Sequence, residues 1–288
     1  MILGTLNIDS ILLEELHKNA VKTVSLEKDQ DVSYDAIFID FFPTKSDNTP
    51  EKAAKLVLQA TVIEKNVKKK KPIIIFDRYL GLTQKEYNWI SSSVKSKFFE
   101  PAINYRRNFS YLPFWYRSKN LLDIKLNNSQ RPYFLAYKGN LNDRIHSFEK
   151  YYLYVAKNYP ELKIIYDKKI DKVKAEEYSN FGIEYKKFEY SEVQHTIILG
   201  TKKEYEIGYL DSFTFKALDQ NCIPIIPVEH RYFKSIDQNF DIHFYNKMYE
   251  STYVGQILEI YSNLDKYYPE MKVENVAKNI LESVKNLI

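Results

Sequence analysis

Residues 196–227, TIILGTKKEYEIGYLDSFTFKALDQNCIPIIP, constrain the fold more than any other stretch of the chain. An apolar run, a polar segment from Gly200 to Gly208, a helix-period segment opening near Asp211 and Ser212, and a second apolar run follow one another. Continuous apolar strands belong to sheets covered on both faces, and a helix between two of them is the crossover of a parallel pair. In such an open α/β sheet the ligand corner lies at the carboxyl ends of the strands, where unpaired N–H groups and helix dipoles attract phosphate. The expected corner is therefore a loop over 200–208 followed by a helix start at Asp211 and Ser212.

The same alternation runs along the rest of the chain. Ile11 to Lys18 has helical spacing, Thr23 to Leu26 suits a short strand, and Ala36 to Phe42 (AIFIDFF) reads as a buried strand. Thr49 is a fitting N-cap with Pro50 in the first turn, and Ala53, Leu56, Val57, Ala60 and Ile63 share one helix face. Lysines 68 to 71 close that helix, where cations suit the dipole, and Pro72 to Phe76 (PIIIF) is the next buried strand. A second series follows: strand Tyr133 to Tyr137, helix Asp143 to Asn158, strand Lys163 to Tyr166, a strand near Glu184 to Phe188, strand Thr196 to Leu199, helix Leu210 to Gln220 and strand Ile223 to Ile226. Helices over Tyr253 to Leu264 and Val273 to Leu287 finish it. Between Pro113 and Pro132 the period is lost, with Asn127, Asn128, Ser129 and Gln130 in the gap. The expected division is an N-terminal domain over 1–112, a connection over 113–131, a second domain over 132–270, and a helix over 271–288 that packs back on the first. A length of 288 residues with 44% hydrophobic side chains is enough for two such cores.

Several classes are disfavoured by what the sequence contains. A charged fraction of 28% with both signs interspersed argues against disorder, and no apolar run approaches the roughly 20 residues needed to span a bilayer. Asp9, Glu14 and Glu15 interrupt the place of a secretory signal, so a cytoplasmic protein is expected. Cys222, the lone cysteine, sits beside a β-branched run and reads as a buried thiol. The five histidines show no metal-binding spacing, and no P-loop lysine or G-x-S-x-G elbow is present. A net charge of +4 decides nothing about polyanionic partners.

Three constellations carry chemistry. In Lys138-Gly139-Asn140-Leu141-Asn142-Asp143-Arg144 a strand meets a helix, so the glycine admits close backbone approach and Arg144 offers a fork to a diphosphate. The alternative is a capped helix start with Asn142 or Asp143 as N-cap. Asp77 follows the PIIIF strand directly and could act as a general base or sit in an ion pair with Arg78, while Asp40 has the same placement after AIFID. Tyr105, Arg106, Arg107, Phe109, Tyr111, Phe114, Trp115, Tyr116, Arg117 and Lys119 interleave rings and cations, which suits nucleic acid or an aromatic hinge.

Four co-linear stretches, IIIFDRYLGL, NFSYLPFWYR, AYKGNLNDR and TIILGTKKEYEIGYLDSFTFKALDQNCIPII, together resemble the bacteriophage DNA β-glucosyltransferases over residues 34 to 235. The resemblance implies the GT-B form of the α/β class: two Rossmann-like domains with parallel sheets facing across a cleft, and a C-terminal helix crossing back. It implies inverting transfer of a sugar, glucose in that family, from a UDP-sugar to a hydroxymethylated pyrimidine in double-stranded DNA, with the target base flipped out. Asp77 would be the catalytic base. Gly139, Asn140, Arg144, Gly200, Glu206, Gly208, Asp211, Ser212 and Lys216 would line the donor site. Arg78, Arg106, Arg107, Trp115, Tyr116 and Arg117 would meet nucleic acid. The chain would work as a monomer in the (host) cytoplasm, away from membranes, with no tightly bound cofactor and room for a divalent cation (Mg or Mn). Two departures stand out: Lys216 takes the place of the family's ribose-binding glutamate, and Arg144 alone stands where the family has several phosphate-binding arginines, so that either the donor differs or groups such as Glu206 and Asp211 take over the ribose contact. Open alternatives are the same chemistry on a glycan, lipid or protein acceptor, and a relative that binds nucleotide or nucleic acid without turnover.

Overall fold

The computed structural model describes residues 1–19, 21–28, 32–42, 49–102, 105–114, 131–210, 212–220, 222–225 and 272–288. The chain divides into two compact units, one made of 1–115 with 270–288 and the other of 116–269. Each is α/β with a wholly parallel sheet, as the apolar runs require.

The first unit holds β1 (Ile2–Leu6), β2 (Lys22–Ser25), β3 (Ala36–Asp40), β4 (Ile73–Phe76), β5 (Ser96–Glu100) and β6 (Ser110–Tyr111) in the order β2-β1-β3-β4-β5-β6. Every residue of β3 and β4 is buried, because the sheet is covered on both faces. The covering helices are α1 (Ser10–Lys18), α2 (Pro50–Lys68), α3 (Gln84–Ser93) and, from the far end of the chain, a helix over Val273–Leu287 packed on α1 and β5. That helix buries Val273, Val276, Ala277, Ile280, Leu281 and Val284 on one stripe, so the return expected of the C-terminus is observed. Thr49 caps α2 as expected, and of the predicted face Ile63 is buried and Leu56 half-buried, but Ala53, Val57 and Ala60 are exposed. Val57 is 66% exposed, whereas Gln59 is 3% exposed and Asn66 is fully enclosed. The reason is hydrogen bonding: Gln59 accepts from Phe42 N (2.7 Å) and donates to Phe42 O (3.0 Å), and Asn66 accepts from the Tyr34 hydroxyl (2.9 Å). Two polar residues are drawn inside because they satisfy groups that water no longer reaches.

The second unit holds β7 (Tyr133–Tyr137), β8 (Ile164–Tyr166), β9 (Ile183–Tyr185), β10 (Val193–Ile197) and β11 (Ile223–Ile225) in the order β11-β10-β7-β8-β9. After β7 the chain is helical over 142–158: a 3₁₀ turn, α4 (Ile145–Phe148), a π-helical segment (Glu149–Leu153) and α5 (Tyr154–Asn158). Then come α6 (Lys172–Asn180), α7 (Lys202–Ile207) and α8 (Ser212–Asp219), and the C-terminal helix already described becomes α9. The predicted loop over 200–208 is largely α7. Thr201 caps it, its side chain accepting from Glu204 N while the Glu204 carboxylate accepts from Thr201 N, and Gly208 closes it in the left-handed region (φ 68°). The predicted helix over Tyr253 to Leu264 lies outside the described residues.

Tyrosine fills much of this second core. Phe148 stacks on Tyr152 at 4.7 Å and touches Tyr137, Tyr166 and Tyr178 edge-on or tilted. Cys222 is buried, and burial pushes its thiol pKa up.

Candidate functional site

In an open parallel sheet, ligands bind where neighbouring strands send their crossovers in opposite directions, since the two departing chains leave a crevice between them. The strand orders put one such point in each unit. In the second unit it lies between β7 and β10. Their pairing ends at His195 opposite Leu135, after which the strands part. The Tyr152 hydroxyl bridges the gap, donating to Ala136 O (2.8 Å) and accepting from Ile197 N (2.9 Å). This explains a tyrosine rather than phenylalanine in the π-helical segment: the opening of the strands leaves two buried backbone groups that need a partner.

Between the helical stretch after β7 and the start of α7 lies a cavity of about 490 Å³. One wall is Asp143, His146, Ser147, Lys150 and Tyr151, and the other is Gly200, Thr201, Lys202, Tyr205 and Glu206. Two contacts tie the walls together: Arg144 Nη2 donates to Glu204 Oε1 at 2.6 Å and Ser147 Oγ donates to Gly200 O at 3.2 Å. Gly200 must be glycine because a Cβ there would lie 2.8 Å from the Tyr205 ring. Gly139 has φ 146°, and a Cβ on it would meet the Tyr137 hydroxyl at 3.0 Å. Its N–H donates to the buried Asp167 carboxylate at 3.3 Å. Neither Asn142 nor Asp143 is the N-cap; the Asn140 side-chain oxygen accepts from Asn142 N at 3.1 Å.

In the first unit the switch point lies between β1 and β3. Leu6 pairs with Ile39, and Asn7 then turns the chain away with φ 60°, its side chain donating to Asp40 O at 3.2 Å. Asp40 is thus left at the rim of the crevice, 6% exposed, with Oδ2 accepting from Arg78 Nε at 2.8 Å. Oδ1 accepts from none of the described residues and keeps contact with solvent. Arg78 also lies 3.9 Å from Asp9, the N-cap of α1. Burial lifts the Asp40 pKa to about 6 against the pull of Arg78, with Asp9 and Asp77 adding to the rise.

Asp77 is placed differently, and the expected ion-pair partner is not the one observed. Its side chain is fully enclosed, Oδ1 accepting from Gly81 N (2.8 Å) and Oδ2 from Leu82 N (2.9 Å) and Arg106 Nη2 (2.8 Å). Its ion-pair partner is Arg106, not the adjacent Arg78. Arg106 in turn is held by Glu100 through Nε (2.6 Å) and its own N–H (2.8 Å), and lies 3.6 Å from the centre of the Phe109 ring. Burial raises the Glu100 pKa. Sequence reasoning missed Glu100, although its signal was available: a carboxylate closing the apolar strand SKFFE.

The remaining expected residues are distributed as follows. Arg107 is exposed, whereas Arg78 and Arg106 are committed to carboxylates inside the first unit. Phe109 packs with Tyr87 and Phe98, and Phe114 with Phe76, so these two rings serve the first unit's core, whereas Tyr105 is exposed. Glu206 lines the cavity, and Gly208 caps α7. Lys216 is exposed on α8 with its amine 5.5 Å from the Phe213 ring. Asp211, Trp115, Tyr116 and Arg117 lie outside the described residues, as does the Ser212 side chain. His195 is buried in the sheet with Nδ1 against Phe134 O (3.2 Å), and burial lowers its pKa to about 4. Among the described residues no cluster of three His, Cys, Asp or Glu side chains is placed to hold a metal ion, and no helix is long and apolar enough to cross a membrane.

No protein-family model matches the sequence, and no curated protein does. Solved structures to which the chain is similar include a UDP-forming trehalose-phosphate synthase from Burkholderia xenovorans, at 9% identity and a TM-score of 0.45 over 99% of this chain and 74% of that one. Others are a UDP-GlcNAc 2-epimerase from Neisseria meningitidis bound to UDP-GlcNAc (8%, TM-score 0.41, 99% and 100% covered) and Acinetobacter baumannii MurG (11%, TM-score 0.35, 99% of each). These likenesses are faint, and the functional reading rests on the chain's own geometry.

Proposed function

We propose that the chain is a nucleotide-sugar-dependent glycosyltransferase whose second unit holds the donor by its diphosphate and whose first unit supplies the carboxylate that receives the acceptor's proton. The observation that carries this reading is the cavity between the helical stretch after β7 and residues 200–206, the segments that follow the two strands of the switch point. Its volume of about 490 Å³ lies in the range of small-molecule sites, and His146, Lys150 and Lys202 stand on its walls beside Asp143 and Glu206, with Arg144 next in chain to Asp143, so cations are at hand for an anionic group. Arg144 is held by Glu204 in the ligand-free protein, and a diphosphate offers it a second anionic partner. Glu206 on the rim is placed for a sugar or ribose hydroxyl.

The finer reading follows from the sequence resemblance: UDP-glucose as donor, a hydroxymethylated pyrimidine in duplex DNA as acceptor, and inversion at the anomeric carbon. One observation favours a second acceptor class. Arg78 and Arg106, two of the cations expected to meet nucleic acid, are occupied by Asp40, Asp77 and Glu100, which leaves the exposed Arg107 as the described cation of that group. A glycan, lipid or protein acceptor needs no such cations.

Incubation with UDP-glucose, with and without hydroxymethylated duplex DNA, tests both. Release of UDP stimulated by the DNA supports the DNA reading, release independent of DNA supports the second acceptor class, and binding of UDP without any release contradicts the transferase reading.

A further inference from the structure

We infer that Asp40, rather than Asp77, is the carboxylate that takes the proton of the attacking hydroxyl. This rests on the transferase reading above and goes beyond it by deciding between two acids at the ends of adjacent strands. Both Asp40 and Asp77 close a buried parallel strand on its carboxyl side, β3 and β4, so placement alone does not separate them. Hydrogen bonding does. Asp77 receives three donors, one on Oδ1 and two on Oδ2, and is fully enclosed. Any proton it accepted would have to displace the N–H groups of the turn over 77–82 or the Arg106 guanidinium. Among the described residues none donates to Asp40 Oδ1, while Arg78 fixes Oδ2 and so fixes the direction in which Oδ1 points. It also stands at the topological switch point of its own sheet, where β1 turns away at Asn7 and the crevice opens, whereas Asp77 lies one strand further in.

The charged groups that act on Asp40 come from three elements: Arg78 from the turn after β4, Asp9 at the start of α1, and Asp77 at the end of β4. Burial and the two acids oppose ionisation, and Arg78 favours it. The balance near 6 leaves the group ionised at neutral pH yet basic enough to accept a proton, the condition for an effective general base. In the step itself the hydroxyl oxygen bonds to the anomeric carbon as the bond from that carbon to the diphosphate oxygen breaks. The bonding pair leaves with UDP, and the hydroxyl proton passes to Asp40 Oδ1. Asp77 is then a positioning residue that holds Arg106 and the turn carrying Arg78.

The test is the pH dependence of UDP release from UDP-glucose for the wild type and for Asp40→Asn, Asp77→Asn and Arg78→Gln, each checked for UDP binding and for its melting transition. The expected result is an acidic limb near pH 6 in the wild type, and a loss of about 10²- to 10⁴-fold in kcat/KM for Asp40→Asn with UDP affinity kept. The same limb should survive in Asp77→Asn. Arg78→Gln, which removes the one group favouring ionisation, should move the limb to higher pH. Carboxyl ¹³C titration of Asp40 in the protein without donor should follow the same shift. An Asp40→Asn variant that folds, binds UDP and keeps wild-type kcat/KM and limb overturns this inference alone, as does a limb that Arg78→Gln leaves in place. A wild type that neither binds UDP nor releases it from UDP-glucose overturns the transferase reading, and this inference with it.

Discussion

The two switch points lie in sheets of different strand order, β2-β1-β3-β4-β5-β6 and β11-β10-β7-β8-β9, and carry different chemistry. In the first unit the rim carries Asp9 and Asp40 around one guanidinium, Arg78. In the second it carries a cavity with His146, Lys150 and Lys202 on its walls and the Arg144–Glu204 pair tying them together. The parallel sheet supplies only the opening; the residue that follows each strand decides what can be done there. Each crevice is stiffened by a polar bridge, the part-buried Asn7 to Asp40 O in one and the buried Tyr152 hydroxyl in the other.

The largest effects should separate the two acids of the first unit. Asp40→Asn should raise the barrier by about 3 to 5 kcal/mol, the equivalent of 10²- to 10⁴-fold, with no loss of stability at neutral pH, where the wild-type carboxylate is ionised against burial. Asp77→Ala should instead cost about 3 kcal/mol of stability, because it strips a buried ion pair and orphans the N–H groups of Gly81 and Leu82. Steady-state kinetics and denaturant melts of the pair are the check, and stability losses of equal size in both variants would erase the distinction.

The next effect contrasts the units through acid. Asp40's folded pKa of about 6 lies above its ordinary 3.8, so its contribution to stability is present at low pH and is lost as pH rises through 6. His195's folded pKa of about 4 lies below 6.5, so its contribution is present above 6.5 and is lost as pH falls through 4. Between pH 6 and 4 the first unit should therefore gain stability from Asp40 while the second loses it from His195, each by roughly 3 kcal/mol at the limit. Denaturant unfolding of Asp40→Asn and His195→Gln against the wild type at the two pH values measures both slopes, and slopes of the same sign would contradict the assignment.

Smaller effects sharpen the second crevice. Arg144→Ala should weaken UDP binding about tenfold by calorimetry, and Thr201→Ala should cost about 1 kcal/mol through loss of the α7 cap.

How much of this was legible in the sequence depends on the length scale of the signal. Continuous runs such as AIFID and IIIF announce buried parallel strands, and the capped start at Thr49 and Pro50 announces α2, because those signals are local. The buried face of α2 is only partly legible, because Gln59 and Asn66 are drawn inward by Phe42 and Tyr34, partners 17 and 32 residues away. The segment over 200–208 was taken for a loop because its charged residues hide a helix of one and a half turns, although Thr201 and Glu204 spell a capping box. At the site, the position of Asp77 and Asp40 after their strands was readable, but which of the two is occupied depends on Arg106 and Glu100, and nothing near Asp77 in sequence signals that Arg106 rather than Arg78 reaches it.

The central claim, that the second unit's crevice holds a nucleotide diphosphate, is tested most directly by a crystal structure of the protein with UDP. The account predicts the diphosphate within hydrogen-bonding distance of Arg144, between residues 139–144 and 200–206. UDP lodged elsewhere on the chain, with that crevice unchanged, would contradict it.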